Sequence, residues 1–331
     1  MTRDRLPGSW HRSRWMRAPL FLASLASGGC GVSTGTPTVD TTVAGVQKVV
    51  SLPITQGLNA LNSVTLTGTY PGAPATIPTT PPSGGNAYTA VLPGSETLPA
   101  GTQVNLTWTV DYDFAFVSNQ TSNRSQSFTI GSAVSIDGNA CVRQGSQAPV
   151  ALSLANGAPN ASVALTVTPA SLALPVPATI PLTGGGNSVN LTGSQLGEGT
   201  LTANAGALGS DEAPVRVIPA LATATLLEPL DNATDVFFGN PPPPNASTVS
   251  VFLRWSAVPG ATQTSSGKYL VHWRENNGAW TFTNSNIEEI VLSLVPGTVV
   301  DWKVTAGFEQ CSGAPAMGPE SQEFRFTVID P

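Results

Sequence analysis

Histidine is nearly missing from this chain, with two residues in 331. His11 lies in a basic leader, so His272 is the one that remains beyond it. A Ser-His-Asp relay needs its imidazole in a shielded cleft with an ordered acid behind it. The alternation around His272 puts it on an outward strand face beside Arg274, and no Gly-x-Ser-x-Gly elbow accompanies it. Cysteine is as sparse: Cys30, Cys141 and Cys311 stand far apart, whereas zinc sites draw on several Cys or His ligands. No catalytic, metal or cofactor-binding residue is therefore assigned. Charge is also scarce, at 10% of residues against about 25% in an average globular chain. There is no run of Lys or Arg, so nucleic acid and anionic lipid headgroups are not expected partners. No stretch reaches the roughly twenty apolar residues of a membrane-spanning helix.

What is abundant is turn chemistry. The chain has 33 Gly and 29 Pro, with 40% hydrophobic residues. That balance suits short strands joined by many turns, with enough apolar matter for real cores. The clearest strand is 102–114, where Val104, Leu106, Trp108, Val110, Tyr112 and Phe114 alternate with polar residues. A repeat supports the same reading. Leu98-Pro99-Ala100-Gly101-Thr102 returns as Leu294-Val295-Pro296-Gly297-Thr298, at an offset of 196 residues. At the same offset Ser125-Gln126-Ser127-Phe128 returns as Ser321-Gln322-Glu323-Phe324. The fold class expected is all-β: three tandem sandwiches after a leader.

The first 29 residues read as an export signal. Arg3, Arg5, Arg12, Arg14 and Arg17 precede the short apolar stretch 18–26, and Ser27-Gly28-Gly29-Cys30 follows. This pattern resembles a bacterial lipoprotein signal, which implies acylation of Cys30 and a membrane link through that lipid alone. Ser27 departs from the resemblance, which expects Leu or a similar residue there. Cleavage after Ala26, giving a secreted protein, is the alternative. From Cys30 on the chain carries nine basic and 19 acidic residues, a net charge of −10.

The expected organisation is a signal at 1–29, a flexible Gly/Ser/Thr/Pro tether at 30–45, and sandwiches at 46–131, 132–219 and 220–331. In the last segment Val249, Val251, Leu253 and Trp255 alternate, as do Tyr269, Val271 and Trp273. Asn276-Asn277-Gly278 marks a tight turn, and Val300, Trp302 and Val304 form a later strand. Leu253-Arg254-Trp255 and Leu294-x-Pro296-Gly297-Thr298 resemble a fibronectin type III domain. That family usually has Tyr where Val300 stands. The first segment shares the closing half of the pattern, as a fibronectin-like or immunoglobulin-like unit. The second resembles bacterial immunoglobulin-like modules.

The paired acids, the tryptophans and the cysteines carry what reactive or contact chemistry remains. Asp111 and Asp113 share a strand face but lack a calcium-binding loop, and read as a solvated strand end. Glu288 and Glu289 are neighbours on a strand and point to opposite faces, unlike a glycosidase pair. Parity turns Trp273, Trp280 and Trp302 inward, and Phe252 outward. Cys141 and Cys311 are each placed near the junction of the second and third segments, where they could meet in a disulfide; that bridge and two separate free thiols both stay open. The function expected is a non-catalytic envelope lipoprotein for adhesion, scaffolding or protein–protein contact, with an unknown protein or glycan partner at the cell surface. The alternatives are a carbohydrate-binding accessory protein and a hydrolase with an unfamiliar site.

Overall fold

The computed structural model describes residues 32–57, 60–114, 117–184 and 186–330. The leader and Cys30 lie outside the described residues. Six β-sheets follow one another along the chain in three pairs. Among the described residues the only helical elements are two single 3₁₀ turns, Ser95–Thr97 and Gly206–Leu208. The chain is all-β, built of paired sheets.

The first pair uses β1 (Ser33–Thr34), β2 (Thr38–Val39), β3 (Val49–Thr55), β4 (Leu61–Thr69), β5 (Ala87–Val91), β6 (Gln103–Phe114) and β7 (Val117–Thr129). One sheet holds β1, β2, β3 and β5, and the other is β4-β6-β7. Val104, Leu106, Trp108 and Val110 of β6 are all buried, as their alternation demands. The expectation of a flexible tether at 30–45 is corrected for the described part of that segment, 32–45. Ser33 and Thr34 pair with Thr55 and Ile54, Thr38 and Val39 pair with Ser51 and Val50, and Ala44 is fully buried. Edge strands this short are held by ladder hydrogen bonds to β3, which leave no hydrophobic periodicity in the sequence.

The second pair comprises β8 (Val134–Asp137), β9 (Ala140–Arg143), β10 (Gln147–Leu154), β11 (Ala161–Thr168), β12 (Ala173–Val176), β13 (Thr179–Leu182), β14 (Gly186–Gly193), β15 (Gly197–Asn204) and β16 (Ser210–Ile218). Its sheets run β12-β14-β10-β8 and β13-β11-β15-β16-β9. The third pair comprises β17 (Leu226–Glu228), β18 (Ala233–Val236), β19 (Val249–Trp255), β20 (Tyr269–Glu275), β21 (Thr281–Ser285), β22 (Glu289–Leu294), β23 (Val299–Phe308), β24 (Ala316–Glu320) and β25 (Phe324–Val328). Here a β17-β19-β22 sheet faces a six-stranded sheet β18-β25-β23-β20-β21, with β24 also on β23.

One topological rule recurs three times. The opening segment of each pair first runs antiparallel to the next main strand: β1 on β3, β8 on β10, β17 on β19. It then crosses to the other sheet and runs parallel to the last strand. This second contact is the Val43–Gly131 bridge, then β9 on β16, then β18 on β25. Strands that switch sheets in this way close the corner of a sandwich. The sequence repeat has its counterpart too, because β6 and β23 start 196 residues apart. The glycine before each strand, Gly101 or Gly297, has a positive φ of 87° or 73°.

Candidate functional site

The junctions between sheet pairs are built from specific contacts. At the first, the backbone N–H groups of Ala100 and Ala133 donate to the carbonyls of Ala207 and Leu208, at 2.9 and 2.8 Å. The 43–46 loop rests on the second pair. A Cβ on Gly45 would lie 2.5 Å from Pro159 and 2.7 Å from Leu208. Lys48, fully buried, shapes that loop from within. Its ammonium donates to the carbonyls of Val43, Val46 and Ser95. Burial pulls the Lys48 pKa below the ordinary lysine range, while Asp40 and Glu96 push it back up. Apolar side chains of the first two pairs form one continuous buried cluster.

The second junction is polar and covalent. Cys141 on β9 and Cys311, in the loop after β23, are joined by a disulfide with a Cα–Cα distance of 5.4 Å. Arg143, two residues further along β9, donates to the carbonyls of Pro219 and Glu309, at 3.0 and 2.8 Å, and to Oε1 of Gln310 at 3.0 Å. Arg216 pairs with the Glu309 carboxylate. Parallel pairing of β9 with β16 puts Cys141 opposite Arg216, which brings these groups to one edge.

The third pair carries two distinctive outer faces. On the β19 sheet, Phe252 lies edge-on to Phe238, with ring centroids 4.0 Å apart. The Arg254 guanidinium lies 4.8 Å from the Phe252 centroid and pairs with Glu228 and Glu289. Leu230, Val236 and Phe237 complete a groove of about 360 Å³. Leu230 is 68% exposed and Phe238 54%. The outward position of Phe252 was legible from parity. Phe238 and Leu230 were not, because they sit in an irregular loop.

On the six-stranded sheet, Arg274, Asp301 and Arg325 stand directly across from one another on β20, β23 and β25. Asp301 accepts from Arg325 Nε at 2.6 Å and from Arg274 Nε at 2.9 Å. Hydrogen bonding from Arg325, then from Arg274, holds the Asp301 carboxyl below its usual range against the cost of burial. Trp280 is corrected: it packs on this outer face, with the Arg274 and Lys303 cations each 4.6 Å from its ring. The tight turn at Asn276-Asn277, both at positive φ, precedes it, and Trp280 precedes the paired strand β21. Strict alternation therefore does not carry through to it. His272 lies beside it, with ring centroids 6.5 Å apart, and 6.4 Å from that of Phe282. Burial, the main effect, pushes the His272 pKa below the ordinary imidazole range.

Asp111, Asp113, Glu288 and Glu289 are each engaged in hydrogen bonds. Asp111 accepts from Ser63 and Thr121, and Asp113 from Asn62 and the Asn119 backbone. These are cross-strand links on β4, β6 and β7. Glu288 accepts from Lys268 and Tyr269, and Glu289 from Arg254. Among the described residues no group of three or more His, Cys, Asp or Glu side chains is placed to hold a metal ion. Among the same residues no helix is long and apolar enough to cross a membrane.

No family model and no curated protein matches the chain. Among solved structures it is similar to the FN1–FN3 domains of chicken CNTN1, at 10% identity and a TM-score of 0.29, covering 89% of this chain and 98% of that one. It is similar to the three N-terminal domains of the Highly Immunogenic Outer Capsid protein of bacteriophage RB49, at 11% identity and a TM-score of 0.43, covering 90% and 98%. It is also similar to fibronectin(III)-like modules of Clostridium thermocellum CbhA, at 15% identity and a TM-score of 0.26, covering 59% and 93%. These likenesses concern the fold.

Proposed function

We propose that this chain is an exported bacterial envelope protein, anchored by a lipid on Cys30, that works by contact and without catalysis. Each sheet pair is one domain, and the three form a stiff rod of roughly 100 Å that presents the third to a partner. The observation that carries this reading is the second junction. A disulfide, the three hydrogen bonds of Arg143 and the Arg216–Glu309 pair converge there. Interfaces between freely moving domains have no need of such ties. Because β1 begins at Ser33, the anchor leaves almost no spacer, and the first domain lies against the bilayer.

Two measurements test the reading. Mass spectrometry of the mature N-terminus is expected to find an acylated Cys30, and an unmodified Ser27 start removes the anchor. X-ray scattering of the mature protein is expected to give one elongated form, and a broad distribution of dimensions removes the stiff rod.

A second reading rests on Trp280. With the 67% exposed Phe282 and with His272 it forms an aromatic outer face of the kind that stacks on sugar rings. Glycan-array binding that disappears in Trp280→Ala would favour this carbohydrate-binding role over a spacer.

A further inference from the structure

The groove on the outer face of the β19 sheet is not used by either junction. Its floor is apolar and aromatic: Leu230, Val236, Phe237, Phe238 and Phe252. Fifteen large hydrophobic residues are exposed among the described residues, and Leu230, Phe237 and Phe238 line this one groove. Val291 of β22 stands directly across from Phe252, so the strand register extends the apolar area sideways from the groove. Contiguous exposed apolar area of this kind marks an interaction surface rather than ordinary scatter.

Charge decides what fits it. The single cation at the groove, Arg254, is already paired with Glu228 and Glu289. Asp231 accepts from the Arg325 backbone N–H instead of facing this charge. The groove and the partners of its guanidinium therefore hold two carboxylates against one cation, on a chain whose net charge from Cys30 onward is −10. A second copy would bring the same negative rim and the same negative body. An anionic membrane surface would be repelled as well. We infer that the groove receives a segment of a different polypeptide, one that inserts a large apolar side chain and flanks it with Lys or Arg.

This inference deepens the contact reading above and rests on it, but it is independent of the anchor and of the stiffness of the rod. The test is a selection of random peptides, about twelve residues long, on the mature protein, followed by binding of the synthesised winners. The expected winners carry an aromatic or aliphatic residue beside Lys or Arg. They lose roughly tenfold or more in affinity toward Leu230→Ser/Phe238→Ser, whose exposed positions keep the fold intact by circular dichroism. Their affinity also falls when salt is raised to about 0.5 M. The inference is overturned by winners that bind the variant equally well, by winners that are acidic or insensitive to salt, or by a selection that yields none. Self-association that the same double substitution abolishes also overturns it, since the occupant is then a second copy. A failed lipid or scattering result changes none of these readouts, so the two readings fail separately.

Discussion

Asp301 shows how one side chain joins three strands. It is 2% exposed and sits between two guanidiniums on the neighbouring strands. Its folded pKa is depressed, so the stability it contributes is complete above the unfolded carboxyl range near about pH 4. That contribution is lost as pH falls through the folded value. Asp301→Asn is expected to cost about 2 kcal/mol at neutral pH, and this gap from the natural protein should close in acid. Urea midpoints at both pH values measure it. Lys48 gives a second residue-scale expectation. Lys48→Met removes the donor to three carbonyls, and stability should fall by about 2 kcal/mol. Hydrogen exchange in the 43–46 loop should rise in the same variant. Neither role was legible in the sequence. A lone Lys and a lone Asp acquire these partners only when distant strands meet.

At the scale of elements, the repeated turn before β6 and β23 is where sequence and structure agree most closely. Pro-Gly-Thr and its Ala-Gly-Thr counterpart recur because the chain must reverse into a long strand, and a positive φ at the glycine makes that turn. Little side-chain matter surrounds either position: no atom lies within 4 Å of a Cβ on Gly101, and Asp330 is at 3.5 Å for Gly297. The cost of Gly101→Ala or Gly297→Ala is therefore expected to be backbone strain alone, about 1 kcal/mol each. Denaturant unfolding that shows no loss would mean the turn tolerates a side chain. The long strands β6, β19 and β23 were legible because their alternation is strong. The short ones, β1, β2, β9, β12 and β13, were not, since two to four residues carry no period.

For the whole molecule, the second junction makes the sharpest demand. The protein, denatured without reductant, is expected to titrate no free thiol from Cys141 and Cys311. Two reactive thiols would remove the cross-link. Cys141→Ser/Cys311→Ser should leave each sheet pair folded but widen the distribution of dimensions seen by scattering. Adding Arg143→Ala should widen it further, because that guanidinium then stops holding Pro219, Glu309 and Gln310. If scattering is unchanged in the triple variant, packing alone sets the angle.

Alternation by twos, turn residues and the 196-residue repeat were enough, without coordinates, to specify an all-β chain of sandwiches and to place Trp108, Trp255 and Trp302 inside. Those are local properties, set by the geometry of an extended backbone. Folding of the supposed tether onto β3, the outward turn of Trp280, the Lys48 carbonyl cage and the Phe238–Phe252 groove were decided only by tertiary structure. Each depends on which remote strands become neighbours, and side-chain periodicity within one strand carries no information about that.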